Sequence, residues 1–143
     1  IDGGRLTSYL HNSVTGAALG TASTGSAIRV GSSLNVGPRA VRLMPGSTTR
    51  QGVLASVGDG ILVTEVSGLH SGVNPTSGDF SCGVEGLRVR DGEVAEPIGE
   101  AIVGSTLQRV LADVIAVGDD ESWFPIDAAG VSLSIQGLSL AGS

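Results

Sequence analysis

Six residues, Leu87 to Gly92, constrain this chain more than any other short segment. Leu87 and Val89 alternate with Arg88 and Arg90, and Asp91-Gly92 follows at once. Alternation with period two builds a strand with one apolar face. Asp-Gly supplies the two positive φ values of a two-residue type I′ turn, so the chain must fold back as a hairpin. That turn sets the register: Val89 faces Val94, and Arg90 faces Glu93. The hairpin as a whole is expected over 80–94. Twenty-three glycines spread without a period announce many more tight turns. Only four aromatic residues, Tyr9, Phe80, Trp123 and Phe124, are available, so the core must come from Val, Leu, Ile and Ala. The expectation is an α+β fold, predominantly antiparallel β, with a barrel- or sandwich-like sheet and about two amphipathic helices.

The first helix is expected from about Thr48 to Val57, where Thr48 and Gln51 have capping-box spacing and Gly58 stops the run. The second starts at Ser105, again with capping-box spacing to Gln108. Leu107, Val110, Leu111, Val114 and Ile115 then recur at helical spacing up to Gly118. Ile61 to Val66 reads as a buried strand. Arg5 to Leu10, Arg39 to Met44, and Val131 through Ile135 read as further strands, with Leu138 and Leu140 placed to extend the last past Gly137. Asn12 to Gly37, rich in Gly, Ser, Thr and Ala, reads as a long irregular connection. No linker divides the chain, so residues 1–143 are expected to form a single domain. Ile1 followed by the turn-like Asp2-Gly3-Gly4 reads as a piece excised from a longer polypeptide.

Composition excludes several function classes. The net charge is −6 and all eight basic residues are arginine, which argues against direct nucleic-acid binding. The absence of lysine removes P-loop, Schiff-base and Ser-Lys chemistry. One cysteine, Cys82, cannot close an internal disulfide and suits a reducing, cytoplasmic setting. No stretch reaches the roughly 18 apolar residues that span a membrane. A zinc site would need His11, His70 and Cys82, which lie on three separate segments and outside any H-E-x-x-H pattern. The bland alternative has both histidines hydrogen-bonding in local turns and Cys82 as a buried apolar residue. No G-x-S-x-G elbow or G-x-G-x-x-G fingerprint occurs. Asp119-Asp120-Glu121 lacks the spacing of a calcium loop and reads as a solvated acidic turn.

The remaining candidate is the loop Gly68–Ser81, GLHSGVNPTSGDFS. Gly72 and Gly78 permit positive φ, Asn74-Pro75 favours turn initiation, and Ser77 and Asp79 can bond nearby backbone. A strand on each side mounts it rigidly, which is where binding residues tend to lie. His70, Gly72, Asn74 and Asp79 are its candidate substrate or cleft residues.

The wording L-V-T-E-V-S-G-L-H-S-G-V-N-P-T-S-G-D-F-S from Leu62 to Ser81 resembles the TldD/PmbA family, also called modulators of DNA gyrase. His11-Asn12-Ser13, G-T-A-S-T-G from Gly20 to Gly25, V-I-A-V-G-D-D from Val114 to Asp120, and G-L-S-L-A-G from Gly137 to Gly142 are similar to further family words, in family order. The resemblance implies the C-terminal domain of a longer chain, closer to the PmbA/TldE type. It further implies a cytoplasmic zinc-metallopeptidase assembly acting on peptides or unfolded proteins, with a TldD-type partner subunit or a second copy as partner. In the family, the catalytic subunit takes zinc from an upstream helix plus a cysteine in a late loop. The corresponding loop here, Gly118 to Gly130, has no cysteine. The resemblance therefore assigns no catalytic residue and no metal ligand to this chain, and zinc would belong to the full assembly. An interaction and cleft-forming role is expected. The alternatives are part of a TldD-type catalytic zinc peptidase, or a purely structural oligomerisation domain.

Overall fold

The computed structural model describes Asp2, residues 5–125 and residues 127–142. Helix α1 spans Ser13–Ala18. Strands β1 (Ala27–Val30), β2 (Ser33–Val36) and β3 (Val41–Arg42) follow, then α2 (Arg50–Val57), β4 (Gly60–Ser67) and the single turn α3 (Leu69–Gly72). The long strands β5 (Asp79–Arg90) and β6 (Glu93–Thr106) lead into α4 (Leu107–Ala112). Five short strands close the chain: β7 (Val114–Val117), β8 (Ser122–Phe124), β9 (Ala128–Gly130), β10 (Leu133–Ile135) and β11 (Ser139–Gly142). The class is α+β with mostly antiparallel pairing, as expected. Among the described residues there are four helices rather than two, and the sheets stay open instead of closing into a barrel.

Two compact units form. The first comprises Ile1–Arg42 with Trp123–Ala129, the second Leu43–Ser122 with Gly130–Ser143. In the first, Asn12 to Gly37 is not irregular. Asn12 is buried, and its side chain accepts from the Thr15 amide to cap α1, while β1 and β2 make an antiparallel hairpin. Polar, small residues carry no apolar period to mark these elements; cap and turn hydrogen bonds organise the backbone instead. The expected strand over Arg5 to Leu10 reduces to a bridge between Arg5 and Asp2. Ile1, Gly3 and Gly4 of the expected opening turn lie outside the described residues. Of Arg39 to Met44, only β3 is extended, paired in parallel with β9.

The second unit is organised by a four-stranded sheet in the order β11-β6-β5-β4. Its centre is the hairpin read from Leu87 to Gly92. Asp91 and Gly92 have φ of 50° and 77°, and the register pairs Val89 with Val94 and Arg90 with Glu93. Val89 is fully buried. The Arg90 guanidinium, however, donates to Glu96, and that bond holds the Glu96 carboxyl below its usual range. Both side chains are exposed, so the pair adds little to stability. Val84, Ala101 and Val103 form the core cluster, with Ile61, Phe80, Ile98 and Leu138 packed on it. None of the buried apolar residues is aromatic. Strand β4 is not buried throughout: it is the sheet's edge, so Ile61 reaches the cluster while Val63 and Val66 are exposed.

The two expected helices both shift. Thr49, not Thr48, caps α2 by accepting from the Gly52 amide, and Val53 is its buried residue. Thr106, not Ser105, caps α4, which ends at Ala112. Val114 to Val117 leave the helical period and pair antiparallel with β10. Their β-branched side chains suit a strand, and tertiary pairing overrides the local i, i+7 pattern. Leu111, placed on the expected buried face, is 74% exposed. Val131 precedes β10 instead of starting it, and Leu140 lies in β11, which pairs with β6.

The acidic stretch after β7 is a junction. Gly46 donates to the Gly118 carbonyl, Asp119 to the Thr48 carbonyl and Gly118 to the Ser132 carbonyl. The Asp120 carboxylate accepts from both the hydroxyl and the amide of Ser132. The Ser132 hydroxyl, then its amide, keep the Asp120 carboxyl below its ordinary value. A carboxyl whose pKa is depressed by folding contributes stability that is present above the unfolded value, near 3.8, and is lost as the pH falls through the folded one. Asp120→Asn is expected to cost about 1 kcal/mol near neutral pH, the typical net worth of such a bond. The gap between variant and wild-type melting temperatures should close below about pH 3.8. A gap that stays constant in melts across that range would remove the charged bond from the account.

Candidate functional site

The segment from Gly68 to Ser81 joins the sheet's edge strand β4 to its central strand β5. Gly68 turns the chain, and Gly72 donates to the Gly68 carbonyl at 2.7 Å to close the single turn α3. Val73 bridges Phe80, and the Asn74 amide donates to the Asp79 carbonyl at 2.8 Å. A tight turn is thus held between residues 74 and 79. Inside it the Asn74 Oδ1 accepts from the amides of Thr76 and Ser77 at 2.9 and 3.2 Å, an Asx arrangement. The Ser77 hydroxyl donates to Asp79 Oδ2 at 2.7 Å.

These bonds leave an open concavity of about 520 Å³, bordered by Ser71 to Pro75 on one side and Asp79 to Ser81 on the other. Three of the four residues singled out from sequence, Gly72, Asn74 and Asp79, line it; His70 does not and lies exposed on α3. Part of the polar capacity of Asn74 and Asp79 is spent within the turn itself. The residues that border it are chemically mixed, with Phe80 beside Ser71, Ser81 and Asp79.

Gly72 determines how closely α3 approaches β5. A Cβ there would sit 2.2 Å from the Ser81 carbonyl oxygen and 3.3 Å from Cys82 Sγ. Cys82 itself is 3% exposed, a packed residue of the sheet.

Of the residues weighed as a zinc set, His11 belongs to the first unit, and His70 and Cys82 belong to the second. His11 engages its surroundings through its main chain: its carbonyl accepts from the amides of Thr24 and Ser26, and its amide donates to Thr24 Oγ1. Its Nδ1 is buried without a partner, so the expected local bonds form on the backbone, not on the ring. Among the described residues no three His, Cys, Asp or Glu side chains are grouped to hold a metal ion.

One residue escaped the sequence reading. Gln108 stood there as the partner of a Ser105 cap. In the structure its Nε2 instead donates to the Ser77 carbonyl at 3.2 Å, 31 positions away. Nothing local to Gln108 could signal a contact at that separation.

A second concavity, of about 380 Å³, lies on the same sheet, where Glu85 and Glu100 stand beside Gly83 and Ala141. Among the described residues no helix is long and apolar enough to cross a membrane.

Residues 1–142 match the family described as PmbA/TldA metallopeptidase C-terminal domain. Over 120 residues the chain is 38% identical to the metalloprotease PmbA homolog of Haemophilus influenzae, covering 84% of this chain and 25% of that protein. It is 31% identical to metalloprotease PmbA of Escherichia coli O157:H7 over 120 residues, 84% of this chain and 24% of that one. The chain therefore spans about a quarter of the length of these curated relatives. Among solved structures, a protein named as a DNA gyrase modulator from Thermotoga maritima superposes with a TM-score of 0.86 at 30% identity, over 96% of this chain and 31% of the other. TldE from Thermococcus kodakarensis superposes at 0.85 with 22% identity, over 97% and 32%, a likeness of fold.

Proposed function

Because the chain belongs to the PmbA/TldA metallopeptidase C-terminal domain family and is of the PmbA/TldE kind, we propose that it is the interaction and cleft-forming part of a PmbA/TldE-type subunit. That subunit would work in a zinc-metallopeptidase assembly, paired with a TldD-type subunit or a second copy, and act on peptides or unfolded proteins in the cytoplasm. Zinc and its ligands lie outside this chain in this reading. The observation that carries it is the open concavity between α3 and the 74–79 turn, bordered by Asn74 and Asp79 and mounted between two strands of the central sheet. A peptide laid there would meet backbone groups and mixed side chains, the means by which extended segments are held beside a sheet.

The test uses the full-length protein with its partner subunit and an unstructured peptide as substrate. Asn74→Ala opens the Asx turn and should lower cleavage by about fivefold, the effect of losing roughly 1 kcal/mol of hydrogen bonding at the contact. His70→Ala, on the exposed turn next to the concavity, should lower it less. Cleavage unchanged in both variants would sink the proposal. Zinc measured by metal analysis should persist in both, since neither side chain is assigned to it.

A further inference from the structure

The paired strands β4 and β5 anchor the ends of the 68–81 segment, while every bond inside the 74–79 turn is local. Two further contacts hold the tip of the turn, and both come from the start of α4. The Leu107 amide donates to the Gly78 carbonyl at 2.9 Å, and Gln108 Nε2 donates to the Ser77 carbonyl at 3.2 Å. The Gln108 side chain also lies flat against Gly78: a Cβ at that position would fall 2.5 Å from Oε1 and 2.9 Å from Nε2. Gly78 is buried and has φ of 80°, a conformation that favours glycine, so the contact is built on both sides.

We propose that Gln108 is the positioning residue of the concavity: its amide pins the turn that carries Asn74 and Asp79, and so holds the peptide-binding border in place. The inference rests on the reading of the concavity as a peptide contact. Gln108 does not line the concavity, so its effect on binding runs through the turn.

Two substitutions separate the donor from the shape. Gln108→Glu keeps the side chain's length and shape but removes the amide donor and sets a carboxylate against the Ser77 carbonyl. Gln108→Lys changes the shape but restores a donor with enough reach. In the full-length protein with its partner subunit, Gln108→Glu should speed hydrogen exchange of the 73–80 segment by about fivefold, as expected when one net hydrogen bond is lost. It should raise KM for an unstructured peptide by a similar factor, with kcat unchanged. Gln108→Lys should return both toward wild type. Unchanged exchange in Gln108→Glu overturns the proposal. So does faster exchange with an unchanged KM while Asn74→Ala still raises KM; the concavity would then bind peptide without needing the pin. If neither Asn74→Ala nor Gln108→Glu alters KM, the peptide-contact reading itself fails and takes this inference with it.

Discussion

Replacing Gly86 with alanine is expected to destabilise the protein by about 3 kcal/mol, a large share of the roughly 5–15 kcal/mol that holds an ordinary domain folded. Gly86 lies in β5 opposite Val63 of β4, beside an irregularity in the register. A Cβ there would stand 2.0 Å from the Leu62 carbonyl oxygen, 2.9 Å from its carbon and 3.1 Å from the Val63 Cα. These are backbone atoms of a paired strand, so no side-chain rotation can relieve them. The sheet must part locally, which disrupts hydrogen bonds on either side and disturbs Ile61 on the core cluster. Gly104 supplies the control. Its Cβ would meet only the Phe80 carbonyl oxygen, at an ordinary 3.5 Å. Gly104→Ala should therefore change stability by less than about 1 kcal/mol, in either direction. Guanidinium unfolding decides between them, read as a shift of midpoint at unchanged slope. Equal midpoints for the two variants would show that β4 and β5 are not pressed together at Gly86.

Gly72→Ala should have the largest effect on function. The new methyl would clash with the Ser81 carbonyl at 2.2 Å. Ser81 and Cys82 cannot retreat, because β5 is paired with β6 across Gly104 and Val103. The single turn α3 must move instead, and with it the Ser71 to Pro75 border of the concavity. A rise in KM of about tenfold is expected for an unstructured peptide in the full assembly, equivalent to about 1.4 kcal/mol of lost binding. The stability loss should stay near 2 kcal/mol, below that of Gly86→Ala, since α3 buries no residue of its own. A KM indistinguishable from wild type would detach the concavity from peptide binding. Loss of folding altogether would mean that α3 is held more rigidly than its exposed position implies.

Much of the second unit was legible in the residues themselves. Asp91-Gly92 and the alternation before it set the hairpin and its register, and both appear as read. The Gly68–Ser81 loop was recognisable as a rigidly mounted turn system because its Asn, Ser, Asp and Gly residues bond within a few positions of one another. The acidic stretch illustrates the limit. Asp120 looked like a solvated charge, but its partner Ser132 lies 12 positions on, beyond any local signal. The helix expected to run to Gly118 fails for the same reason. Val114 and Ile115 fit a helical period, yet Val114 pairs with Ile135 of β10 and Ile115 lies at the irregularity beside it, within a strand.

Turn chemistry, hydrophobic period and motif order act over a few residues and need no partner, so the hairpin, the family and the class of fold are legible in the residues alone. That Gly72 and Gly86 are points of close approach, that Asp120 ties a junction and that Gln108 reaches Ser77 emerges only in the folded chain. Each of those depends on atoms brought together from distant parts of the chain. A glycine in sequence shows that a side chain is missing; what would fill that space is known only once the neighbouring strand is in place.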